Sequence, residues 1–335
     1  MRSVKRLLRL TKPCIGKEEA AAAAKVLESG WLAEGPLTSQ FEDTIARYVG
    51  AKHGIATCNC TIALTLCLKA LNIKGEVSIP DFTHPATAQA VLNARCKPVL
   101  CDVSLTDYNI NSWNGSPFAI PVSWAGNPID EYPRTNFVED AACSLGAGNT
   151  GSTYTSGFSL HPRKIITTGE GAVITTNDSV LASRIRELKN FGKDGGNYRF
   201  NDVSAAIGIE QMKRIDRLIK TRREHATVYD ELLSKVAGVT TPKPTKGHIY
   251  QTYAVLLDGK IDRDLVIRKL IAKGIEAQIG TYALHLLPQF KRCKRWTSLK
   301  KSVLLAGQLL ALPMAYDLTF DDQVKVVEEL KNAVS

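Results

Sequence analysis

The chain lacks any uninterrupted apolar run of ~18 residues, the length a membrane-spanning helix needs, so no such helix is expected. Its first ten residues are basic, but they have neither the apolar core nor the small-residue cleavage site of a secretion signal. Paired metal-ligand spacing is missing from its eight cysteines. Cys58 and Cys60 stand one residue apart with no companion Cys/His pair, so no metal is expected. Scattered cysteines read as the reduced thiols of a cytoplasmic protein. Internal repeats and low-complexity segments are also absent.

What is present is a chain of 335 residues, 44% of them hydrophobic, enough for one large domain and one smaller one. The net charge of +10 has two readings, a nucleic-acid footprint or an attraction for an acidic small substrate. The basic residues are dispersed except for Lys291-Arg292-Cys293-Lys294-Arg295-Trp296 and Lys300-Lys301. That cluster reads first as solvated surface and second as a diphosphate contact. Neither nucleic acid nor membrane is an expected partner.

The most informative stretch runs from Phe158 to Gly171. An apolar run (Tyr154 to Leu160) carries Ser159. Five positions later Lys164 stands before Thr167-Thr168-Gly169-Glu170-Gly171, and a second apolar run, Ala172 to Thr176, follows. A lysine held between two strands at a glycine-rich turn can be desolvated, which lowers its pKa and frees the amine to attack a carbonyl. Pyridoxal 5'-phosphate (PLP) is the cofactor that uses such an amine, and its other partners are also in the sequence. Asp140 ends the apolar run Asn136 to Val138, where a carboxylate would keep the pyridine nitrogen protonated and make the ring an electron sink. Cys58-Asn59-Cys60-Thr61 separates a strand (Gly54 to Thr57) from an apolar helix (Ile62 to Leu71), a helix N-terminus suited to a phosphate. Ser159 reads either as a hydroxyl for that phosphate or as a core hydroxyl bonded to backbone. His84 follows the strand Glu76 to Ile79 and reads either as a ring-stacking residue or as a packed histidine.

Strand-like and helical runs alternate from Gly54 to Thr176, as a mostly parallel sheet flanked by helices requires. Glu18 to Glu28 reads as an alanine-rich helix stopped at Gly30. Val203 to Ile219 has helical spacing, and a long helix through Arg222 to Leu233 leads into a C-terminal domain. That domain has a strand at Tyr253 to Leu257 and a helix at Leu265 to Lys273. Thr319 and Asp322 predict a capping box for a last helix with an apolar stripe of Val324, Val327, Leu330 and Val334. Domains at residues 1–220 and 221–335 are expected. Between Asn109 and Asp140 the spacing is tight, and at least one crossover helix is expected to be missing or reduced.

In order along the chain come Pro13 to Glu19, Ser29-Gly30-Trp31, Gly35-Pro36, Tyr48 to His53, the Asn59-Cys60-Thr61 turn, Asp140, the Lys164 segment, Asn197-Tyr198-Arg199, Gln211-Met212, Arg222-Arg223 and Leu312-Pro313. This ordered set resembles the DegT-type sugar aminotransferases, PLP enzymes of fold type I, from about Leu10 to the C-terminus. The resemblance implies an α/β fold with a large PLP domain, a mostly parallel central sheet and a smaller C-terminal α+β domain. It implies that Lys164 binds PLP covalently and that Asp140 pairs with the pyridine nitrogen. Asn59, Cys60, Thr61 and Ser159 would hold the phosphate, and His84 would stack on the ring. Asn197, otherwise a turn former beside Gly195-Gly196, would reach the phosphate of a neighbouring subunit and make a homodimer with shared sites. Tyr282 and His285 resemble a loop near the sugar, and His161 is a further substrate-cleft candidate; both histidines otherwise read as surface residues. Three positions depart from the family pattern. Cys60 replaces a glycine of the phosphate turn, which a Cβ allows only at negative φ. Cys143 stands where Gln or His usually lies near the cofactor's phenolic oxygen, and Ala172 replaces a glycine.

The implied activity is transfer of an amino group, by family precedent from L-glutamate, to a nucleotide-linked keto sugar, of which a 4-keto-6-deoxy sugar is expected. Two other classes remain open: a PLP-dependent sugar dehydratase, whose relatives have histidine in place of the lysine, and a non-catalytic regulator retaining the fold.

Overall fold

A computed structural model describes residues 7–110, 116–243 and 245–335. Two ladders share the strand around Val138. One runs His53–Thr57, Ala172–Thr176, Ser156–Ser159 and Glu139–Asp140; the other runs Asn136–Phe137, Phe118–Ala119, Glu76–Pro80, Lys97–Cys101 and Lys294–Arg295. Val138 N donates to Ala119 O and Asp140 N to Pro121 O, so the two ladders continue as one sheet. Among its described strands only Ala172–Thr176 runs antiparallel to its neighbours; the remaining described pairs are parallel.

Side chains of these strands alternate between two buried cores, as the two-residue period of a strand covered on both faces demands. Ile55, Ala172 and Ile174 face a core with Leu64, Leu68, Val91 and Ile185. Ala56, Val173 and Phe158 face the other, with Phe41, Ile45 and Ile219. Fully burying one Leu or Phe contributes ~1.5–3 kcal/mol, so these cores anchor the strand ends that carry polar groups.

A second sheet, Val239–Thr240, Tyr253–Leu257, Leu309–Leu312 and Gln278–Ile279, is antiparallel throughout. Tyr253, Val255, Leu310 and Leu312 pack under the helices Arg263–Ala272 and Phe320–Val334 through Val266, Leu270, Val326 and Leu330. The N-terminal segment joins this core, since Leu8 is buried there and bridges to Ile275.

Several expected elements recur with shifted ends. The helix Lys17–Ser29 stops at Gly30, whose φ of 71° is the left-handed value that glycine adopts without strain. The last helix has the Thr319/Asp322 capping box. Its buried stripe is Gln323, Val326, Val327, Leu330 and Ala333, so Val324 and Val334 lie on its margins. The single helix expected over Val203 to Ile219 is two, Asp202–Met212 and Ile215–Leu233. The break is tertiary in origin: Gln211 Nε2 and Arg214 Nη2 donate to Cys14 O at 2.7 and 2.8 Å, and both also hold buried Glu19. The helix Ile215–Leu233 spans residues 220 and 221, with Ile215 to Ile219 in a core of the large sheet and Ala226 to Leu233 in that of the small one. Between residues 116 and 140 the described residues hold no helix beyond the short turn Trp124–Gly126.

Candidate active site

The carboxyl ends of the large sheet's parallel strands meet the edge of the small sheet at a cavity of about 830 Å³. This is where open α/β sheets place ligands. Asn59, Cys60, Thr61, His84, Asp140, Cys143, Ser159, His161 and Lys164 all line it. They come from four separate stretches of sequence.

The turn bearing Lys164 is tied back to its strand. Lys164 N donates to His161 O at 2.8 Å, and Thr167 Oγ1 and Thr168 N donate to Leu160 O at 2.7 and 3.2 Å. Gly171, at φ 147°, closes the turn; a Cβ there would meet the Phe200 ring at 2.5 Å. The Lys164 amine emerges into the cavity and donates to Cys143 Sγ at 3.1 Å. Burial alone acts to lower its pKa, as the sequence suggested. The Cys143 sulfur, then Cys60 and Asp140, act the other way and outweigh burial, so the amine sits above the ordinary lysine value. The expected net lowering is therefore reversed.

Asp140 is 5% exposed. Thr87 Oγ1 donates to its Oδ2 at 2.7 Å and Ala142 N to its Oδ1 at 3.2 Å. Thr87 escaped the sequence reading, although it lies one helical turn beyond His84. His84 caps the helix Pro85–Asn93, its Nδ1 accepting from Ala86 N at 3.2 Å. Burial, with Lys164 beside it, pushes His84 below the usual histidine value. A neutral ring is the form suited to stacking against another ring.

At the Asn59-Cys60-Thr61 turn Asn59 acts as a helix cap, its Oδ1 accepting from Ile62 N at 3.0 Å. That leaves the N–H groups of Cys60 and Thr61 in the first turn of Cys60–Ala70 with no intrahelical acceptor. Cys60 lies in the helix and not at positive φ, so its Cβ is accommodated. Its Sγ donates to Gly157 O at 3.6 Å, and burial, then Asp140, pushes the thiol well above its ordinary value. Ser159 Oγ accepts only a long bond from His161 N, 3.4 Å. Two N–H groups, the Thr61 and Ser159 hydroxyls, a carboxylate and an amine thus converge in one cavity. This donor set fits PLP, which needs anion donors for its phosphate, a carboxylate for its ring nitrogen and an amine for its aldehyde.

Three candidates do not line the cavity. His285 is 6% exposed and paired with Asp81: its Nδ1 lies 2.7 Å from Oδ2, and its N–H donates to Oδ1 at 2.9 Å. Tyr282 is 40% exposed, pairs with Thr83 and meets the His84 ring edge-on at 6.3 Å. Asn197 is exposed, with Arg199 Nε donating to its Oδ1 at 3.0 Å. His161 does line the cavity, its Nδ1 accepting from Arg163 N at 3.2 Å and its Nε2 4.0 Å from Glu170. Burial lowers its pKa. Arg163, Gln251 and Gln278 also line it and were not foreseen, because their places depend on the small sheet.

The model of the DegT/DnrJ/EryC1/StrS aminotransferase family matches residues 13–114 and 129–331. The chain belongs to that family. This aminotransferase is 30% identical to the UDP-4-amino-4-deoxy-L-arabinose–oxoglutarate aminotransferase of Shewanella sediminis, with 98% of each chain covered. It is 32% identical to the GDP-perosamine synthase of Caulobacter vibrioides over 83% of this chain and 85% of the relative. Its fold superposes on DesI, solved in the presence of its TDP-sugar product, with a TM-score of 0.90 and 26% identity over 98% and 93% of the two chains. It is a PLP-dependent aminotransferase of fold type I, as the resemblance implied. Among the described residues no helix is long and apolar enough to cross a membrane.

Proposed function

We propose that this aminotransferase takes an amino group from an amino acid, L-glutamate, and delivers it to a nucleotide-linked keto sugar, a 4-keto-6-deoxy sugar in particular. The observation that carries the reading is the convergence of Lys164 and Asp140 in one cavity with the N-terminus of the helix Cys60–Ala70. The relatives' names supply the sugar class: one acts on a UDP-linked amino sugar, another is a GDP-perosamine synthase.

Bound PLP supplies an electron sink for charge that develops at the substrate carbon. Lys164 would hold it covalently, and its amine would take a proton from that carbon and return it. Asp140, fixed by Thr87 and the Ala142 amide, would keep the pyridine nitrogen protonated. The N–H groups of Cys60 and Thr61 and the Thr61 and Ser159 hydroxyls would take the phosphate, with Asn59 shaping the turn. His84 would lie against the ring and Cys143 near its phenolic oxygen. The family's dehydratases require histidine where Lys164 stands, which disfavours that reading, and a regulator has no use for a built amine–carboxylate pair. We further propose a cytoplasmic homodimer in which Asn197 reaches the partner's site.

The test is a glutamate-dependent amination assay across nucleotide-linked 3-keto and 4-keto sugars. A 4-keto-6-deoxy sugar should be turned over fastest. Lys164→Ala should abolish transfer, and borohydride should no longer fix PLP to the chain. Wild-type turnover in that variant, with PLP fixed at another lysine, would refute the Lys164 assignment.

A further inference from the structure

Two cations line the cavity among its described residues, Lys164 and Arg163. Consecutive Cα atoms lie ~3.8 Å apart, so the guanidinium starts from the backbone that carries the reacting amine. Arg163 is held at both ends. Its carbonyl accepts from Nε2 of Gln251, a residue 3% exposed whose own backbone carbonyl accepts from the buried Arg222 Nη1 at 2.8 Å. At the head, Arg163 Nη1 donates to Gln278 Oε1 at 3.0 Å, on an edge strand of the small sheet. No described residue accepts from Nε or Nη2 of Arg163, and Gln278 engages only one corner of the guanidinium. The Nε–Nη2 edge is therefore open for the paired, parallel hydrogen bonds that a carboxylate accepts. The other charged groups of the cavity do not compete: Asp140 is satisfied by Thr87 and Ala142, and Glu170 lies near His161.

We propose that Arg163 is the residue that binds a carboxylate of the amino-acid donor, with Gln278 and Gln251 holding it in place. This rests on the aminotransferase reading above. An amino acid brings its carboxylate within one bond of the reacting carbon, whereas the phosphates of a nucleotide-linked sugar stand a sugar ring away. The residue beside the reacting lysine suits the former.

The experiment titrates PLP-loaded wild type, Arg163→Gln and Arg163→Lys by calorimetry with an unreactive dicarboxylate, maleate, and separately with UDP, GDP and TDP. Loss of a charge-assisted pair should weaken maleate by about 10–100-fold in Arg163→Gln. Arg163→Lys should recover part of it, because the charge returns without the fork, and nucleotide affinity should not change. Unchanged maleate affinity overturns the assignment. So does a loss confined to the nucleotides, which would make Arg163 a phosphate ligand. A separate readout, decay of the enzyme's visible absorption on adding L-glutamate to wild type, tests the parent reading. If that decay is absent the donor assignment falls, while the maleate titration still decides whether Arg163 binds carboxylate.

Discussion

The amine of Lys164 donates a hydrogen bond to Cys143 Sγ at 3.1 Å across 21 residues of chain. The sulfur is the chief influence raising the lysine against the effect of burial. Removing it should lower the Lys164 pKa and leave more neutral amine at a given pH. Cys143→Ala apoenzyme should therefore recombine with PLP faster than wild type at pH 7, the difference vanishing at pH values where both amines are neutral. A reconstitution rate with the same pH profile in both proteins would show that the contact does not control the amine.

Asp140 and Thr87 make a graded pair of tests. Asp140→Asn cannot hold a proton on the pyridine nitrogen, and loss of such an electrostatic partner costs about 10²–10³ in rate. Thr87→Val removes one donor to the carboxylate, whose 2.7 Å bond fixes its orientation, and should cost less, roughly tenfold. The rates of the glutamate half-reaction, measured by stopped-flow absorbance, would show both. Equal losses in the two variants would mean that Thr87 does more than orient the aspartate.

His248 supplies a pH prediction for stability. It is buried, Tyr250 N donates to its Nδ1 at 2.8 Å, and burial, then the nearby Arg223, drives its pKa from 6.5 to about 3. A depressed folded-state pKa means that the unfolded chain binds the proton first. Stability from neutral His248 is thus present above pH 6.5 and lost progressively as pH falls toward about 3. His248→Gln should be less stable than wild type at pH 7.5 but lose less Tm between pH 7 and pH 4.5. Parallel Tm–pH curves would contradict this.

The proposed shared site predicts complementation between two inactive chains. Asn197 lies outside its own chain's cavity and is exposed. If it completes a neighbour's phosphate site, PLP should favour the dimer, since a ligand bound only by the assembled form shifts the equilibrium toward it. Mixing Lys164→Ala with a disabling Asn197 variant should restore activity, because one site of the heterodimer keeps both intact groups. Sedimentation showing a fully active monomer, or no rescue after proven subunit exchange, would rule the arrangement out.

The polar groups at the heart of the site were legible because each is announced by local pattern. Asp140 and Ser159 stand at strand ends just beyond the apolar Val138 and Phe158, Asn59 precedes an apolar helix, and Lys164 sits in a glycine-rich turn. Strand period and helix caps act over a few residues, so sequence alone determines where such groups stand on their elements. Pairings between elements are not written that way. Lys164 meets Cys143 and Asp140 meets Thr87 because packed strands and helices bring them together. Arg163 reaches Gln278 across 115 residues and joins the large sheet's turn to the small sheet's edge. His285 resembled a sugar-loop residue in sequence. In the fold it pairs with Asp81, 204 residues away, because a buried carboxylate needs a partner more than the cavity needs another imidazole. Likewise the apolar period running through Val203 to Ile219 marked a helix. Only the contacts of Gln211 and Arg214 with Cys14 and Glu19, nearly 200 residues away in sequence, decided that the helix turns there.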